Sequence, residues 1–517
     1  YLVEQLMSKT MSFLKSKTVL SILVLFTFFS IIHYSMGYHF KPFYVIAITG
    51  LMVYLNQYRK LYIAIILFYS FIACLYFPVG VLYGPPDYNI FSSFYYTNTE
   101  EAKGFITNIN LKYYILSVLI LVFGILICQL KLNTKRITNI ISLSIFVIIT
   151  IIQPVKAVYN NSIKLVLTSG LPEIRFFTES LYYLDYLAKE KKSIEGNDSF
   201  SNVSANNPYD TYVIIIGESV RRDFMHNYGF PINNTPFMDS INGVFFNNYI
   251  SAAGSTNLSL SRSLSIYPKM PNNIITLANK AGFYTTWISR QGQSGKHDGP
   301  VATIAKRAEQ TYFVGGKSNI ATNVSSEDGP VIDKFIHSLD NPTQKKLIVI
   351  HLIGSHSPFC ARISNSYQQF YKSKDLSCYV QSIKNTDLLL SQIYSELLKS
   401  KNSWSMLYFA DHGLSFIDNQ QDLIHGDKRK QNFEVPLFIT SSNSVDREII
   451  SAQRNGLNLF QLFAEWLGIN ANNIKPTCKM LSNNDCKGQS NVIDFDQHII
   501  DFNKLPNDDI KYPYQYH

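Results

Sequence analysis

Four apolar runs of this chain end in side chains that can bind a metal ion or attack phosphorus. YVIIIG runs into Glu218 and Ser219, FFNNYISAAG into Ser255 and Thr256, LIVIHLIG into Ser355 and His356, and SMLYFA into Asp411 and His412. Further on, Ile424 is followed by His425 and Gly426. Taken singly, each is ordinary: a Glu at a strand end is often just solvated, and Asp-His often makes a turn. Taken together, carboxylates and an imidazole are hard and borderline ligands suited to a divalent ion such as zinc. Such an ion acidifies a bound hydroxyl as it does bound water. Thr256 opens a helical stretch, TNLSLSRSLSIY, where unpaired N–H groups and the helix dipole favour an alkoxide and a phosphate beside it. The local sequence equally permits Thr256 as an ordinary N-cap.

These residues share an edge only if the runs are strands of one sheet. The pattern predicts strands at 212–217, 243–250, 283–289, 347–353, 405–410 and 435–440, and helices at 256–266, 272–281, 329–339, 376–400 and 457–467. Near-continuous apolar character belongs to strands covered on both faces. Alternation of strand and helix points to an α/β sandwich with a mostly parallel sheet, where ligands gather at the carboxyl ends of the strands. Cys360, Cys378, Cys478 and Cys486 fall in this part, and an even number suggests two disulfides in an oxidising compartment. Proximity favours 360–378 and 478–486, although three pairings are possible.

The remainder of the chain is of another kind. Over 517 residues, 46% are hydrophobic, 14% aromatic and only 16% charged, which excludes a disordered chain and implies more than one domain. The net charge of +9 is unevenly placed. Residues 1–157 hold twelve Lys and Arg against four acids, and the other 360 residues hold 34 against 33. The soluble part therefore has no basic excess to offer a nucleic acid. Five apolar runs, at roughly 18–36, 42–57, 61–83, 112–130 and 138–155, read as membrane spans. The second is short and borrows Tyr44, Tyr54 and Tyr58 at the interface. Lys9, Lys15 and Lys17, then Arg59 and Lys60, then Lys131, Lys135 and Arg136 fall on one side, marking it as cytoplasmic. Five spans then carry the chain after about 156 to the outside. The first run is read as a retained span, since four more follow and no small-residue cleavage site stands out. Cys74 and Cys128 lie within spans as small apolar residues. The expected organisation is a transmembrane domain over 1–157, an amphipathic connector and linker over 158–210, and a soluble catalytic domain over 211–517.

The blocks GESVRRDFMHNYGFPINNTPFMD, GSTNLSLSRSL, HLIGSHSP, FADHG and LIHG, in this order, resemble the bacterial phosphoethanolamine transferases of the sulfatase/alkaline-phosphatase superfamily. The resemblance covers nearly the whole chain. It implies an α-helical five-span transmembrane domain, a linker helix and a periplasmic α/β sulfatase-like domain, in an inner-membrane protein that we expect to be a monomer. It implies that Glu218, Thr256, Asp411 and His412 hold one Zn2+, with Thr256 the nucleophile; a second zinc is left open. Thr256 is preferred to Ser255 because the family spaces Thr-x-x-Ser, here Thr256 and Ser259. His356 and His425 match histidines that contact the substrate phosphate or assist the leaving group. TNTEEA matches a family block that makes Thr97 and Glu101 candidates for gripping the ethanolamine head group, and Lys296 in SGKHDG is a candidate phosphate contact. The implied reaction moves phosphoethanolamine from phosphatidylethanolamine to an envelope glycan or lipid A acceptor through a phosphoethanolamine-threonine intermediate.

Three departures set this chain apart: Ala253-Gly254 stands where the family often has Cys-Gly, Leu414 replaces the Glu of Asp-His-Gly-Glu, and Ser93 stands where an Asn precedes the head-group Thr. Two rival readings are weighed. A glycerol-phosphate transferase of the lipoteichoic acid synthase type is opposed by TNTEEA and GESVRRD. A non-catalytic glycan- or lipid-binding membrane protein has only Leu414 in its favour.

Overall fold

The computed structural model describes residues 17–96, 106, 109–159, 170–291, 299–314, 328–363, 367–416, 422–476 and 478–508. The chain divides into two compact units, Tyr1–Phe91 with Ala102–Tyr186, and Ser92–Glu101 with Leu187–His517.

The helices of the N-terminal region are α1 (Lys17–Ser35), α2 (Pro42–Leu55), α3 (Arg59–Tyr83), α4 (Tyr88–Tyr96), α5 (Leu111–Ile127), α6 (Arg136–Tyr159) and α7 (Pro172–Ile194). Helices α1, α2, α3, α5 and α6 fall on the five apolar runs. Among the described residues, Lys17–Ser35, Arg59–Tyr83 and Arg136–Lys156 are long and apolar enough to cross a membrane, while α2 and α5 are shorter apolar helices. Large apolar side chains remain exposed on them, Phe43 at 70% and Ile148 at 63%, more than a water-facing surface tolerates. Asn56, just past α2, and Arg59, the first residue of α3, donate to the Leu130 carbonyl after α5 at 3.1 and 2.6 Å, and Leu132 N donates to Asn56 Oδ1 at 2.9 Å. Two loops expected on one side therefore meet at one end of the bundle. In the stretch expected as an amphipathic connector and linker, 158–210, the described residues include the helix α7. It is fastened to α1 and the turn beyond it by Glu173 with His33 (2.9 Å) and by Glu179 with Tyr38 (2.9 Å).

The second unit is built on an eight-stranded sheet of β1 (Thr211–Gly217), β2 (Gly243–Phe246), β3 (Tyr284–Ser289), β4 (Gln310–Phe313), β5 (Lys346–His351), β6 (Trp404–Ala410), β7 (Leu437–Ser441) and β8 (Arg447–Ile450). Their order is β8-β2-β7-β6-β1-β5-β3-β4, and β7 alone runs against its neighbours. The helices around it are α8 (Pro236–Ser240), α9 (Thr256–Ser263), α10 (Ile274–Lys280), α11 (Pro300–Ala305), α12 (Val331–Leu339), α13 (Lys374–Lys399) and α14 (Leu459–Leu467). Every residue of β1, β5 and β6 is buried, as the continuous apolar runs require.

Three sequence expectations change in detail. The strand at 243–250 is two pieces. It breaks at Asn247-Asn248, and Tyr249–Ile250 pairs away from the sheet with Arg454–Asn455. The helix expected over 256–266 stops at Ser263, because Ser265–Ile266 pairs with Lys269–Asn273. The edge strands β4 and β8 were not foreseen. Disulfides join Cys360 to Cys378 and Cys478 to Cys486, and Cys74 and Cys128 are free.

Candidate active site

Register brings the strand ends together. Gly217 of β1 pairs with Ala410 of β6, so Glu218 and Asp411 leave the sheet side by side, and Ile216 pairs with His351 of β5, whose chain continues to His356. Ser219 takes a left-handed φ of 59° directly after Glu218, unusual for a residue with a Cβ. It is held there by Tyr379 of α13, which donates to the Ser219 carbonyl at 2.7 Å and accepts from Arg221 N at 2.9 Å. Gly354 lies against Glu218, where an added Cβ would sit 3.0 Å from its backbone nitrogen. The buried Asp328 carboxylate accepts from Ile353 N and Gly354 N at 2.8 and 2.9 Å, fixing the turn that leads to His356.

Thr256 is the first residue of α9, and Ser255 holds the N-cap position, with no side-chain cap bond. The Thr256 hydroxyl donates to Glu218 Oε2 at 3.0 Å and lies 3.3 Å from His412 Nε2. His412 Nε2 is 3.3 Å from Glu218 Oε1 and 3.5 Å from Asp411 Oδ2, while its Nδ1 faces the Gly413 carbonyl at 2.8 Å. Asp411 Oδ1 accepts from Ser219 N and His412 N, at 3.0 and 2.8 Å. Ser259, three residues along α9 from Thr256, donates to the Asp411 carbonyl at 2.6 Å, which ties the helix carrying Thr256 to the strand end carrying Asp411. The His425 ring centre is 4.7 Å from that of His412 and 6.1 Å from that of His356. The segment before Thr256 presses on the loop of His425, since a Cβ on Gly254 would lie 1.8 Å from the Gly426 carbonyl oxygen.

The structure thus brings together Glu218, Thr256, His356, Asp411, His412 and His425. Thr97, Glu101 and Lys296 lie outside the described residues. Leu414 is buried in the core of this unit, so the departure there fills space rather than the ligand set.

The charges are crowded. Burial would lift the Glu218 carboxyl, but hydrogen bonding and charge from His412, with charge from His356, hold it well below the usual carboxylate range. Burial and the neighbouring Glu218 charge push Asp411 up. His412, which burial would depress, is raised to about 9 by Asp411 and Glu218. Burial and the nearby His412 and His356 drive His425 down to about 3, so it is neutral at working pH.

Glu218, His412 and His425 can each turn one ligand atom to within 4.8 Å of the others. Asp411 Oδ2 adds a buried oxygen with no hydrogen-bond partner. Two carboxylates and imidazole nitrogens converging in one site match the donor set of a zinc ion, and an orphaned carboxylate oxygen is what a cation would satisfy. His425 thereby stands among the candidate ligands, beside the substrate-contact role its motif implies. Gln291, two residues beyond β3, was not singled out from sequence, yet its Nε2 donates to Glu218 Oε2 at 2.7 Å. It follows a predicted strand as the other site residues do, but its amide is not a typical metal ligand.

A Sulfatase family model matches residues 210–469. The chain is 33% identical over 498 residues to the phosphoethanolamine transferase OpgE of Escherichia coli, covering 92% of this chain and 94% of that protein. It is 23% identical over 297 residues to the phosphoethanolamine transferase EptC of the same organism, covering 52% and 51%. Among solved structures, the integral membrane lipooligosaccharide phosphoethanolamine transferase A from Neisseria meningitidis superposes with a TM-score of 0.60 at 14% identity, covering 88% of this chain and 96% of that one. The periplasmic domain of Escherichia coli EptC, solved in complex with Zn, gives 0.52 at 19% identity, covering 60% and 98%. The first superposition shows a fold shared over the N-terminal apolar helices and the alkaline-phosphatase-like domain that follows, and the second a fold shared over that domain.

Proposed function

The chain belongs to the phosphoethanolamine transferases, enzymes of the alkaline-phosphatase superfamily, and from that premise we propose that it moves phosphoethanolamine from phosphatidylethanolamine to an envelope glycan through a Thr256 intermediate. The observation that carries this reading is the Thr256 hydroxyl, at a helix N-terminus and 3.0 Å from a fully buried carboxylate that itself adjoins His412 and Asp411. A zinc ion held by Glu218, Thr256, Asp411 and His412, with His425 within reach, would acidify the Thr256 hydroxyl and offset charge on the phosphoryl oxygens.

The chain's own part follows. Thr256 Oγ1 passes its proton to the Glu218 carboxylate it donates to and forms the new bond to phosphorus as the bond from phosphorus to the diacylglycerol oxygen breaks. The unpaired N–H groups of the first turn of α9 receive the phosphoryl oxygens. His356 gives the departing diacylglycerol oxygen its proton, and His425, kept neutral by its burial, is left to contact the phosphoryl group. An acceptor phosphate, or an acceptor hydroxyl whose proton His356 takes, then attacks the same phosphorus, and Thr256 leaves with the proton that Glu218 returns to it. Thr97 and Glu101 grip the ethanolamine ammonium, and Lys296 a phosphate oxygen.

We propose five spans, with the N-terminus cytoplasmic and the catalytic unit periplasmic. The placement of both disulfides in the catalytic unit supports an oxidising surrounding. A lipid donor explains why an enzyme with a nearly neutral soluble part carries apolar helices, and the meeting of Glu218, Thr256, His356, Asp411, His412 and His425 within one chain is in keeping with a monomer.

The test uses full-length protein in nanodiscs with phosphatidylethanolamine bearing a fluorescent acyl chain. Expected are fluorescent diacylglycerol and, by mass spectrometry, phosphoethanolamine on the peptide holding Thr256. Turnover of identically labelled phosphatidylglycerol instead would favour the glycerol-phosphate reading. A Thr256→Ala protein that retains full transfer overturns the mechanism.

A further inference from the structure

Glu218 is completely buried, and each of its carboxylate oxygens is engaged. Oε1 accepts from the Ser219 hydroxyl at 2.7 Å and lies 3.3 Å from His412 Nε2. Oε2 accepts from the Thr256 hydroxyl at 3.0 Å and from Gln291 Nε2 at 2.7 Å. Thr256 and His412 belong to the reacting constellation and Ser219 is the adjacent residue. Gln291 is different in kind, because it comes from another strand end and is itself anchored. The same Nε2 donates to the Leu352 carbonyl at 3.0 Å, so both of its N–H groups are committed and the amide plane is set by the exit of β5. The turn beneath is also tied: Ser289 Oγ donates to the Gln291 carbonyl at 3.0 Å, and Arg290 N donates to the His351 carbonyl at 2.8 Å.

We infer that Gln291 is the positioning residue of Glu218. Its carboxamide fixes which carboxylate oxygen faces Thr256 and the angle at which Glu218 meets a metal ion. This rests on the reading of Glu218 as a ligand and Thr256 as the nucleophile. A carboxylate whose second oxygen is pinned presents a single rotamer, and ligands oriented by an outer hydrogen bond hold metals more tightly and at a defined geometry. An amide suits the position better than an ammonium or a carboxylate: it donates without adding a charge to a site already crowded with them. Gln291 touches neither phosphorus nor the leaving group in this scheme, so its effect is carried entirely through Glu218.

The experiment compares full-length wild type, Gln291→Met and Gln291→Glu in nanodiscs. Methionine keeps the length and loses both donors; glutamate keeps the shape and sets a second carboxylate against Glu218. Three readouts are taken: kcat and KM for fluorescent phosphatidylethanolamine, zinc affinity by chelator competition, and the visible spectrum of the cobalt-substituted protein. Gln291→Met is expected to lose about 10- to 100-fold in kcat or zinc affinity, the usual cost of removing an outer partner of a metal ligand. KM should be nearly unchanged, and the cobalt spectrum shifted, at an unaltered melting temperature. Gln291→Glu is expected to be worse than Gln291→Met in zinc affinity or kcat. Wild-type kcat and cobalt spectrum in Gln291→Met overturn the inference. So does a loss that tracks melting temperature with spectrum and affinity intact, since that is a packing role. Glu218→Gln and Thr256→Ala are run alongside. If these keep zinc affinity and transfer, the underlying reading fails; if they lose both while Gln291 variants behave as wild type, only the role of Gln291 fails.

Discussion

Substitution of Gly254 by alanine offers a sharp test of how the nucleophile is placed. The residue needs no unusual backbone angle, so the effect is one of space alone. The new methyl would sit 1.8 Å from the Gly426 carbonyl oxygen, whereas ordinary contact begins at 3.4 Å. The deficit is about 1.6 Å, and the obstacle is backbone, which cannot swing aside as a side chain can. One of two segments must move: the stretch that delivers Thr256, or the loop that delivers His425. A displacement of about 1 Å at a reacting group is enough to cost about 100-fold in rate, so diacylglycerol release should fall by about that factor or more. Overpacking adds a stability cost of about 1–3 kcal/mol, visible as a lowered melting temperature. Gly426→Ala is the matched comparison. Its methyl would meet Ser415 Oγ at 2.9 Å and the Asn432 amide at 3.0 Å, both side-chain ends, so its loss should be well below that of Gly254→Ala. If Gly254→Ala keeps activity within about threefold of wild type at an unchanged melting temperature, the close approach of these two segments does not position the nucleophile and the reasoning is wrong.

Two further outcomes follow from the same unit. Replacing Cys360 and Cys378 by serine opens a loop of sequence separation 18, which should lower stability by about 3 kcal/mol in thermal melting. It should also reduce turnover, because the bridge ties the turn after His356 to α13. Asp387 accepts from Phe237 N and Met238 N at the start of α8, and burial raises its carboxyl to about 7. A raised acid binds more protons folded than unfolded between about pH 4 and 7, so its contribution to stability declines as pH rises through that window and is level above it. The melting temperature of Asp387→Asn, subtracted from wild type across pH 4.5 to 8, should reveal that slope, and a flat difference would refute the assignment.

The central strands were legible because each is fully buried: β1, β5 and β6 are unbroken apolar runs, which periodicity and length identify without further help. The edge strands β4 and β8 carry no such signal. Gln310–Phe313 is only half-buried and Arg447–Ile450 is exposed over its first three residues, so their pairing is set by neighbours distant in sequence. The candidate site divides the same way. Glu218, Thr256, Asp411 and His412 stand at the ends of readable elements and have reactive side chains. Gln291 and Asp328 act by hydrogen bonds to partners 73 and 25 residues away, and neither an amide nor an Asp in the Glu-Asp-Gly-Pro run announces such a role. Thr97, Glu101 and Lys296 rest on motif alone.

One neighbouring cluster clarifies what kind of site this is. Arg221, three residues after Glu218, is buried and holds Asp223 at 2.8 Å and Asp508 at 2.7 Å. There the fold buries the Asp508 carboxylate for structural reasons, and it supplied a permanent guanidinium that neutralises it. Glu218 and Asp411 are buried more deeply still, yet the groups around them are imidazoles, whose charge is conditional, and uncharged hydroxyl and amide groups, and Asp411 Oδ2 has no hydrogen-bond partner. An unsatisfied buried carboxylate oxygen costs stability, and a chain that solved the same problem with arginine a few residues away had the means to avoid it. The asymmetry is explained if the positive charge at Glu218 and Asp411 is meant to come from outside the chain, as a divalent ion whose binding is then coupled to relief of that cost. On this view the GESVRRD block is a single physical unit with two halves: Glu218 and Ser219 shape a place for a cation, and Arg221 with Asp223 fixes the backbone that presents them.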